Sequence, residues 1–473
     1  MRFWGRRWTA GGRDRFPVRR PTHDPLSGVI GKCIKRGGFR SQGGGVAVDE
    51  NVEFLKRKAR EHAEWFSRSL PMIASENVMS PLARSFMFSD LADRYAEGRP
   101  RKRYYQGVKF IDDIEERVEE LAKEVFRCRL ANVQPISGTV ANLAAVFALG
   151  KPGDGIATVD VKEGGHISSA QFGAVGLRGL VNVTIPFDRK DAHVDVDGAA
   201  KVIREKKPKI LLLGMSVFPF PAPVKELAPV AKEVGARVWF DGAHVLGLIG
   251  GKRFQDPLHE GADILTGSTH KTLPGPQRGA LLSDSEDEKF QRRLHKSVFP
   301  GVVSNHHLHT LAALGVTLAE HKVFGEQYAD QVIRNAQRLG QKMHEAGLKV
   351  LYEHLGFTKS HTVIVDTRAN GGGSWAAQAL EDANIISNKN FLPDDEGSSQ
   401  EPGGVRFGSQ ELTRLGLKES DMDHVALLIA RVVVKKEEPA KVKRDVEEFR
   451  GRFSGVHYCF TPDAKPHVFE DIL

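Results

Sequence analysis

Between Asp49 and Ser69 the residues Val52, Leu55, Ala59, His62 or Ala63, and Phe66 recur at helical spacing, which predicts an amphipathic helix. The same period returns at Ile111, Ile114, Val118, Leu121, Ala122 and Val125, set between acidic and basic residues, and marks a scaffold helix. Val140 to Leu149 is apolar and reads as a helix opened by Ser137-Gly138-Thr139. Short apolar runs follow: Ile156 to Val161, Lys209 to Leu213, Val238 to Phe240 and Ala262 to Leu265 read as strands, and Lys225 to Val234 as a helix closed by Gly235. This alternation implies right-handed crossovers and a parallel sheet. A long helical pattern with Tyr328, Val332, Ala336, Leu339 and Met343 closes at Gly347, and a smaller α+β domain begins there, with His361 to Asp366 as its clearest strand. Beyond Val434 come Lys435-Lys-Glu-Glu-Pro439, a charged helical stretch, and a tail with Tyr458, Phe460 and Phe469 that could pack on the body or on a partner.

Composition narrows the class. The chain of 473 residues is 40% hydrophobic and 27% charged, ordinary for a globular protein and long enough for two or three domains. No apolar run is long enough to span a bilayer. Cys33, Cys128 and Cys459 are scattered and form no CxxC pair, which suits a reducing cytosol, and a cytoplasmic location is expected. The net charge of +8 is unevenly placed, because residues 1–45 hold 11 Lys+Arg against 2 Asp+Glu and the rest of the chain holds 57 against 58. A neutral body with a basic, Gly- and Pro-rich tail argues against nucleic-acid binding as the main role. The tail reads as disordered; its arginines mimic a transit peptide, but its prolines and glycines would interrupt a presequence helix, so a start assigned too far upstream is the leading expectation, ahead of a nucleic-acid-binding arm.

Two stretches suggest chemistry. Gly267 to Gly279 places Lys271 in a run of small and hydroxylated residues just after an apolar strand, with His270 before it. A lysine desolvated on such a turn becomes a nucleophile able to form a Schiff base, although a surface lysine in a Gly/Pro loop would look the same. Arg237 to Phe240 is a short apolar run ending at Asp241, followed by Gly242-Ala243-His244. At the carboxyl end of a parallel strand an aspartate can keep a pyridinium nitrogen protonated, and alone it could equally cap a helix. Paired one strand apart, Asp241 and Lys271 read as a pyridoxal-phosphate site. Ser137-Gly138-Thr139, with two hydroxyls and a helix N-terminus, suits the phosphate. His306, His307 and His309 lack a nearby carboxylate or cysteine to complete a ligand set, so no metal is expected.

Asp241-Gly-Ala-His244 together with Ser268-Thr-His-Lys271 resembles serine hydroxymethyltransferase, and the similarity runs from about Val48 to about Val434, with Gln277 nearer the archaeal branch. The resemblance implies an α/β fold of fold type I: a large, mostly parallel-sheet domain that binds pyridoxal 5'-phosphate, and a smaller C-terminal α+β domain. The expected divisions are a tail at 1–47, a helical arm at 48–80 lying across a dimer partner, the large domain at 81–322, the small domain at 323–434 and an extension at 435–473. The implied reaction moves the serine hydroxymethyl group reversibly to tetrahydrofolate or tetrahydromethanopterin, leaving glycine. The alternative is a carrier-independent aldolase of threonine-like amino acids, which would share Lys271, Asp241 and Arg406.

The resemblance also implies roles. Lys271, Glu97, Asp241, His166 and His270 are the catalytic set. Ser137, Gly138, Thr139, Ser216, His244, Thr269 and Gly301 join His166, Asp241 and Lys271 around the cofactor, with His166, in Gly164-Gly165-His166, stacking on its ring. Ser75, in Ile73-Ala-Ser-Glu-Asn77, and Arg406, in Gly404-Val-Arg-Phe-Gly408, hold the substrate carboxylate. Glu97 handles the serine hydroxyl and the carrier's protons, Tyr95 and Tyr105 reach the substrate from the neighbouring subunit of a homodimer, and Tyr104 and Asn390 contact the pterin. Two departures stand out: Val302-Val-Ser-Asn305 replaces a more glycine-rich run, and Gly408-Ser-Gln-Glu411 replaces the common Gly-Thr-Pro-Ala.

Overall fold

The computed structural model describes residues 49–165, 168, 170–395 and 401–469. The basic tail and the stacking position His166 lie outside them. The described residues before Lys58 form a unit separate from those after it, and helix α1 (Glu50–Ser67) has no buried residue. No described helix is long and apolar enough to cross a membrane.

Seven strands form the large sheet: β1 (Leu130–Asn132), β2 (Gly155–Thr158), β3 (Val181–Thr184), β4 (Ile210–Leu213), β5 (Arg237–Asp241), β6 (Ile264–Ser268) and β7 (Gly279–Ser283). Their order is β1-β7-β6-β5-β4-β2-β3; the run from β3 to β6 pairs in parallel, and β7 is antiparallel to both neighbours. Apart from the edge strand β3, the sheet is buried on both faces. Leu211 and Leu213 of β4 point into one core while Ile210 and Leu212 point into the other, and in β5 Phe240 and Trp239 divide in the same way. Two-sided burial explains why these strands read as continuous apolar runs. Each such side chain contributes about 1.5–3 kcal/mol when fully buried. The run expected from Ile156 to Val161 stops at Thr158, because Asp160 accepts from Lys162 N at 2.9 Å and starts a 3-10 turn over Val161–Glu163.

A second, antiparallel sheet contains β8 (Lys349–Val350), β9 (Thr362–Asp366), β10 (Asn388–Asn390) and β11 (Gly404–Gly408), in the order β8-β9-β11-β10. Helices α2 (Lys109–Phe126), α3 (Gly138–Leu149) and α4 (Val224–Glu233) cover the large sheet. The 38-residue α5 (Leu308–Glu345) ties the two sheets together. Its Leu311, Leu318 and Val332 join the core of the large sheet, and Ala336, Leu339 and Met343 join that of the small one.

Helix α6 (Glu419–Val433) packs on α5, and α7 (Pro439–Arg450) packs on α6. The C-terminal segment then lies on the body. Arg414 donates to Tyr458 O at 2.6 Å, the rings of Phe324 and Phe460 stand 5.6 Å apart, and Arg84 donates to Pro466 O at 2.6 Å.

Candidate active site

Strands β5 and β6 end side by side, with Asp241 opposite Thr266, and Lys271 follows three residues after the last residue of β6. The chain approaches itself so closely here that only glycine fits at 214: its φ is +117°, and a Cβ would lie 2.2 Å from Asp241 O. The Asp241 carboxylate is held in place, with Oδ1 accepting from Ala243 N at 3.0 Å and Oδ2 from Asn142 Nδ2 at 2.8 Å.

The lysine loop is fixed along its length. Thr269 Oγ1 donates to Pro276 O at 2.5 Å and accepts from Arg278 N at 3.1 Å. Thr272 Oγ1 donates to His244 O at 2.8 Å, and Asn77 Nδ2 donates to Lys271 O at 2.6 Å. Behind the loop, the fully buried Arg278 guanidinium donates to His307 O, Thr310 Oγ1 and Val133 O at 2.6–2.8 Å. His306, which a metal reading would need, instead sits 3.2 Å from both Arg278 Nη2 and Glu115 Oε2.

Lys271 is 8% exposed, and its Nζ makes no hydrogen bond or ion pair among the described residues. Burial lowers its pKa from 10.5 to about 8; Asp241 opposes the shift and Arg406 adds to it. Burial next to Lys271 also lowers His270 to about 4, so its imidazole is neutral at pH 7, with Nδ1 unpartnered.

Arg406 is likewise buried and forms no ion pair among the described residues. Its Nε donates to Asn388 Oδ1 at 3.2 Å and its Nη1 to Ser216 O at 2.9 Å. Ser216 N in turn donates to Gly164 O at 2.8 Å. The Gly164-Gly165 turn, Ser216 and Asn390 therefore line one cleft next to the guanidinium. Ser75 and His270 line a second cavity, of about 710 Å³, together with Gln277 and Glu411. His244 is buried, its ring stacked 6.1 Å from that of His361.

Ser137 caps α3, its Oγ accepting from Val140 N at 3.2 Å. At Gly138 a Cβ would stand 2.2 Å from Ser268 Oγ, so the helix start lies directly against the end of β6. The arrangement fits pyridoxal phosphate. It offers a buried amine with no partner among the described residues, a carboxylate fixed one strand away for the ring nitrogen, and a capped helix N-terminus for the phosphate.

The remaining predicted residues form a separate group. Tyr95, Tyr104 and Tyr105 are 44%, 71% and 45% exposed; the rings of Tyr95 and Tyr105 lie 4.8 Å apart, and Tyr104 lies 5.8 Å from Phe299. Arg103 donates to Ala96 O at 2.8 Å and Gly98 O at 2.6 Å, gripping the chain on both sides of Glu97. Asn305 accepts from Ala96 N at 2.9 Å, which brings the Gly301 segment to the same face. Gly301 N is bonded to Lys296 O at 3.2 Å. No described hydrogen bond or ring contact joins this group to Lys271.

Several residues of the site carry weak sequence signals. Asn142 is the one strongly polar side chain within apolar α3, and it links Asp241, Ser168 Oγ and Thr266 Oγ1, each at 2.8 Å. A lone asparagine in such a run is a usable clue. Asn388, rather than Asn390, bonds Arg406, while Tyr328, His361 and Gln410 reach the site only through tertiary folding.

Comparison with known proteins accords with this geometry. The family model described as serine hydroxymethyltransferase matches residues 47–429. Proteins named serine hydroxymethyltransferase from Methanocella arvoryzae, Thermoplasma volcanium and Pyrococcus furiosus are 54%, 52% and 51% identical to this chain over 418, 407 and 416 residues. The alignments cover 88%, 86% and 87% of this chain and 98%, 95% and 96% of those proteins. With its lysine loop, strand-end aspartate and helix cap assembled as described, and with similarity on this scale, the chain belongs to the serine hydroxymethyltransferase family.

Proposed function

We propose that the protein exchanges a hydroxymethyl group between serine and glycine, using pyridoxal phosphate as cofactor and a reduced pterin as carbon carrier. The observation that carries this reading is the pair of buried cations Lys271 and Arg406, neither with an ion pair among the described residues and close enough for Arg406 to depress the lysine pKa. Two such charges call for an anionic ligand between them, and an amino-acid carboxylate on a planar guanidinium satisfies one. Bound cofactor supplies an electron sink joined to the substrate's α carbon. Lys271, neutral in part at physiological pH, is the amine that would hold the cofactor's aldehyde carbon. Asp241, oriented by Asn142, keeps the ring nitrogen protonated. Arg406 would fix the substrate carboxylate and so set the orientation of the bond to be broken, and Ser75 would add a second contact to that carboxylate, contributing affinity. Gly138, Thr139 and Ser137 would take the phosphate, Ser216 and His244 would lie beside the ring, and Asn390 would contact the pterin.

Glu97 would hold and move the proton of the serine hydroxyl, with Tyr95, Tyr104 and Tyr105 beside it. Because this group sits on an exposed face with no described contact to Lys271, we assign it to the site of a second copy, in a cytoplasmic homodimer with shared active sites. The test of the reaction is a visible spectrum of the loaded protein with glycine, followed by each reduced pterin in turn. A new long-wavelength band that needs pterin supports transfer and identifies the carrier. Threonine cleavage with no response to either pterin would replace this reading with the aldolase. Mixing inactive K271M and E97Q chains tests the sharing. Random exchange should restore about a quarter of wild-type activity, since half the dimers are mixed and each has one intact site. No recovery on mixing would refute the shared site.

A further inference from the structure

The turn that carries Ser75 is clamped from the element that carries Arg406. Ser75 and Ala74 are the central residues of a turn closed by Glu76 N donating to Ile73 O at 3.1 Å. Gln410, fully buried at the start of the short helix Gln410–Arg414, sends Nε2 to both ends of that turn: to Ile73 O at 2.7 Å and to Glu76 O at 2.7 Å. A primary amide has two N–H donors, and here each meets one carbonyl. Gly408 N adds a bond to Met72 O at 2.7 Å, and His361 Nε2 lies 3.1 Å from Ala74 O. The main chain of Gln410 holds the other flank of the turn, because its carbonyl accepts from Tyr328 OH at 3.1 Å. That hydroxyl accepts from Asn77 Nδ2 at 2.8 Å, and the same amide donates to Lys271 O at 2.6 Å. Gln410 is therefore bonded directly to Ile73 and Glu76, the two ends of the turn, and through Tyr328 to Asn77. It lies four residues after Arg406 on the same stretch of chain.

The geometry points to Gln410 as a positioning residue that fixes Ser75 relative to Arg406 and so sets the affinity for the amino-acid carboxylate. This rests on the reading of Ser75 and Arg406 as the carboxylate contacts. The carboxylate is held in the same way before and during the reaction, so loosening the turn weakens binding throughout and raises KM, leaving kcat alone. A merely structural glutamine would not separate the two constants.

The test uses the pyridoxal-phosphate-loaded protein and compares wild type, Q410M, Q410E, S75A and the S75A/Q410M double variant. Q410E keeps the shape of the side chain but has no amide donors, which guards against a packing failure in Q410M. The readouts are serine KM and kcat, the glycine dissociation constant from the spectral change, and the unfolding midpoint. Loss of both bonds is expected to raise serine KM and the glycine constant about tenfold, with kcat changed by less than about twofold. The double variant is expected to bind no worse than S75A alone, because the two residues act on one contact. A wild-type KM in Q410M and Q410E overturns the proposal, as does a double variant whose defect is the product of the single ones. If S75A itself binds serine and glycine normally, the assignment of Ser75 fails, and any defect in Q410M then arises by another route. If wild type turns over no serine, the transfer reading fails separately, and the glycine constant still tests the clamp.

Discussion

The buried amine of Lys271 carries a measurable energetic cost in the cofactor-free protein. Its pKa falls from 10.5 to about 8, chiefly through burial. Between those two values the unfolded chain holds a proton that the folded chain has released. Folding stability therefore rises with pH across that window, and below pH 8 the penalty is fully present. The difference corresponds to about 3 kcal/mol, a large fraction of a typical folding free energy. Methionine has nearly the same length and no charge, so the K271M apoprotein should be more stable than wild type at pH 7 by up to about 3 kcal/mol. The gap should narrow above pH 8 and close near pH 10.5. Urea denaturation of both apoproteins at matched concentration, at pH 7 and 9.5, measures it. Equal stability at pH 7, or a gap that does not narrow as pH rises, would refute the reasoning. The neighbours supply an internal sign check, since D241N should lower the lysine pKa further and R406M should raise it.

Arg406→Lys keeps the charge but loses the planar fork, so serine and glycine affinity should fall about tenfold or more in a spectral titration while cofactor retention is unchanged. Asn142→Leu removes a donor from Asp241 Oδ2, and the dissociation constant for pyridoxal phosphate, measured by equilibrium dialysis, should rise about tenfold. Glu411 is buried next to Glu76, which pushes its pKa up from 4.5 to about 8, with Arg450 opposing. The folded state then holds a proton that the unfolded state has lost, so wild type loses stability as pH rises from 4.5 to 8. Glu411→Gln should match wild type near pH 4.5 and exceed it by a few kcal/mol at pH 8 in the same denaturation assay.

Strands β2, β4, β5 and β6 were legible in the sequence because burial on both faces makes them apolar runs, whereas the short edge strand β1, the partly exposed edge strand β3 and the antiparallel β7 were not read. The lysine loop and Asp241 were legible because their residue types sit next to those runs. The clamp on Ser75 was not. Gln410 and Tyr328 lie more than 250 residues from the turn they hold, and glutamine in Ser-Gln-Glu looks like any polar residue at a helix start. The course of the C-terminal segment was equally hidden, because Tyr458 and Phe460 find their places through Arg414 and Phe324, residues no local pattern connects to them. The expected strand through Val161 was too long for a local reason, since Asp160 caps a turn where hydrophobicity alone would extend the strand.

The antiparallel strand β7 gives the lysine loop an unusual mechanical character. Because β6 and β7 pair from Leu265–Leu282 to Ser268–Gly279, the ten residues between Ser268 and Gly279 are closed at their base inside the sheet, while Thr269 N and Gly275 N are bonded within the loop at 3.0 and 2.9 Å. Swinging the loop out would break these bonds together with those joining it to Asn77 and His244, which makes it a poor door for the cofactor. Admission must come from the elements facing it, and hydrogen exchange should show the Thr269 and Gly275 amides opening only with global unfolding. The lysine proposed to hold the cofactor thus sits on a segment tied into the interior of the sheet at both ends.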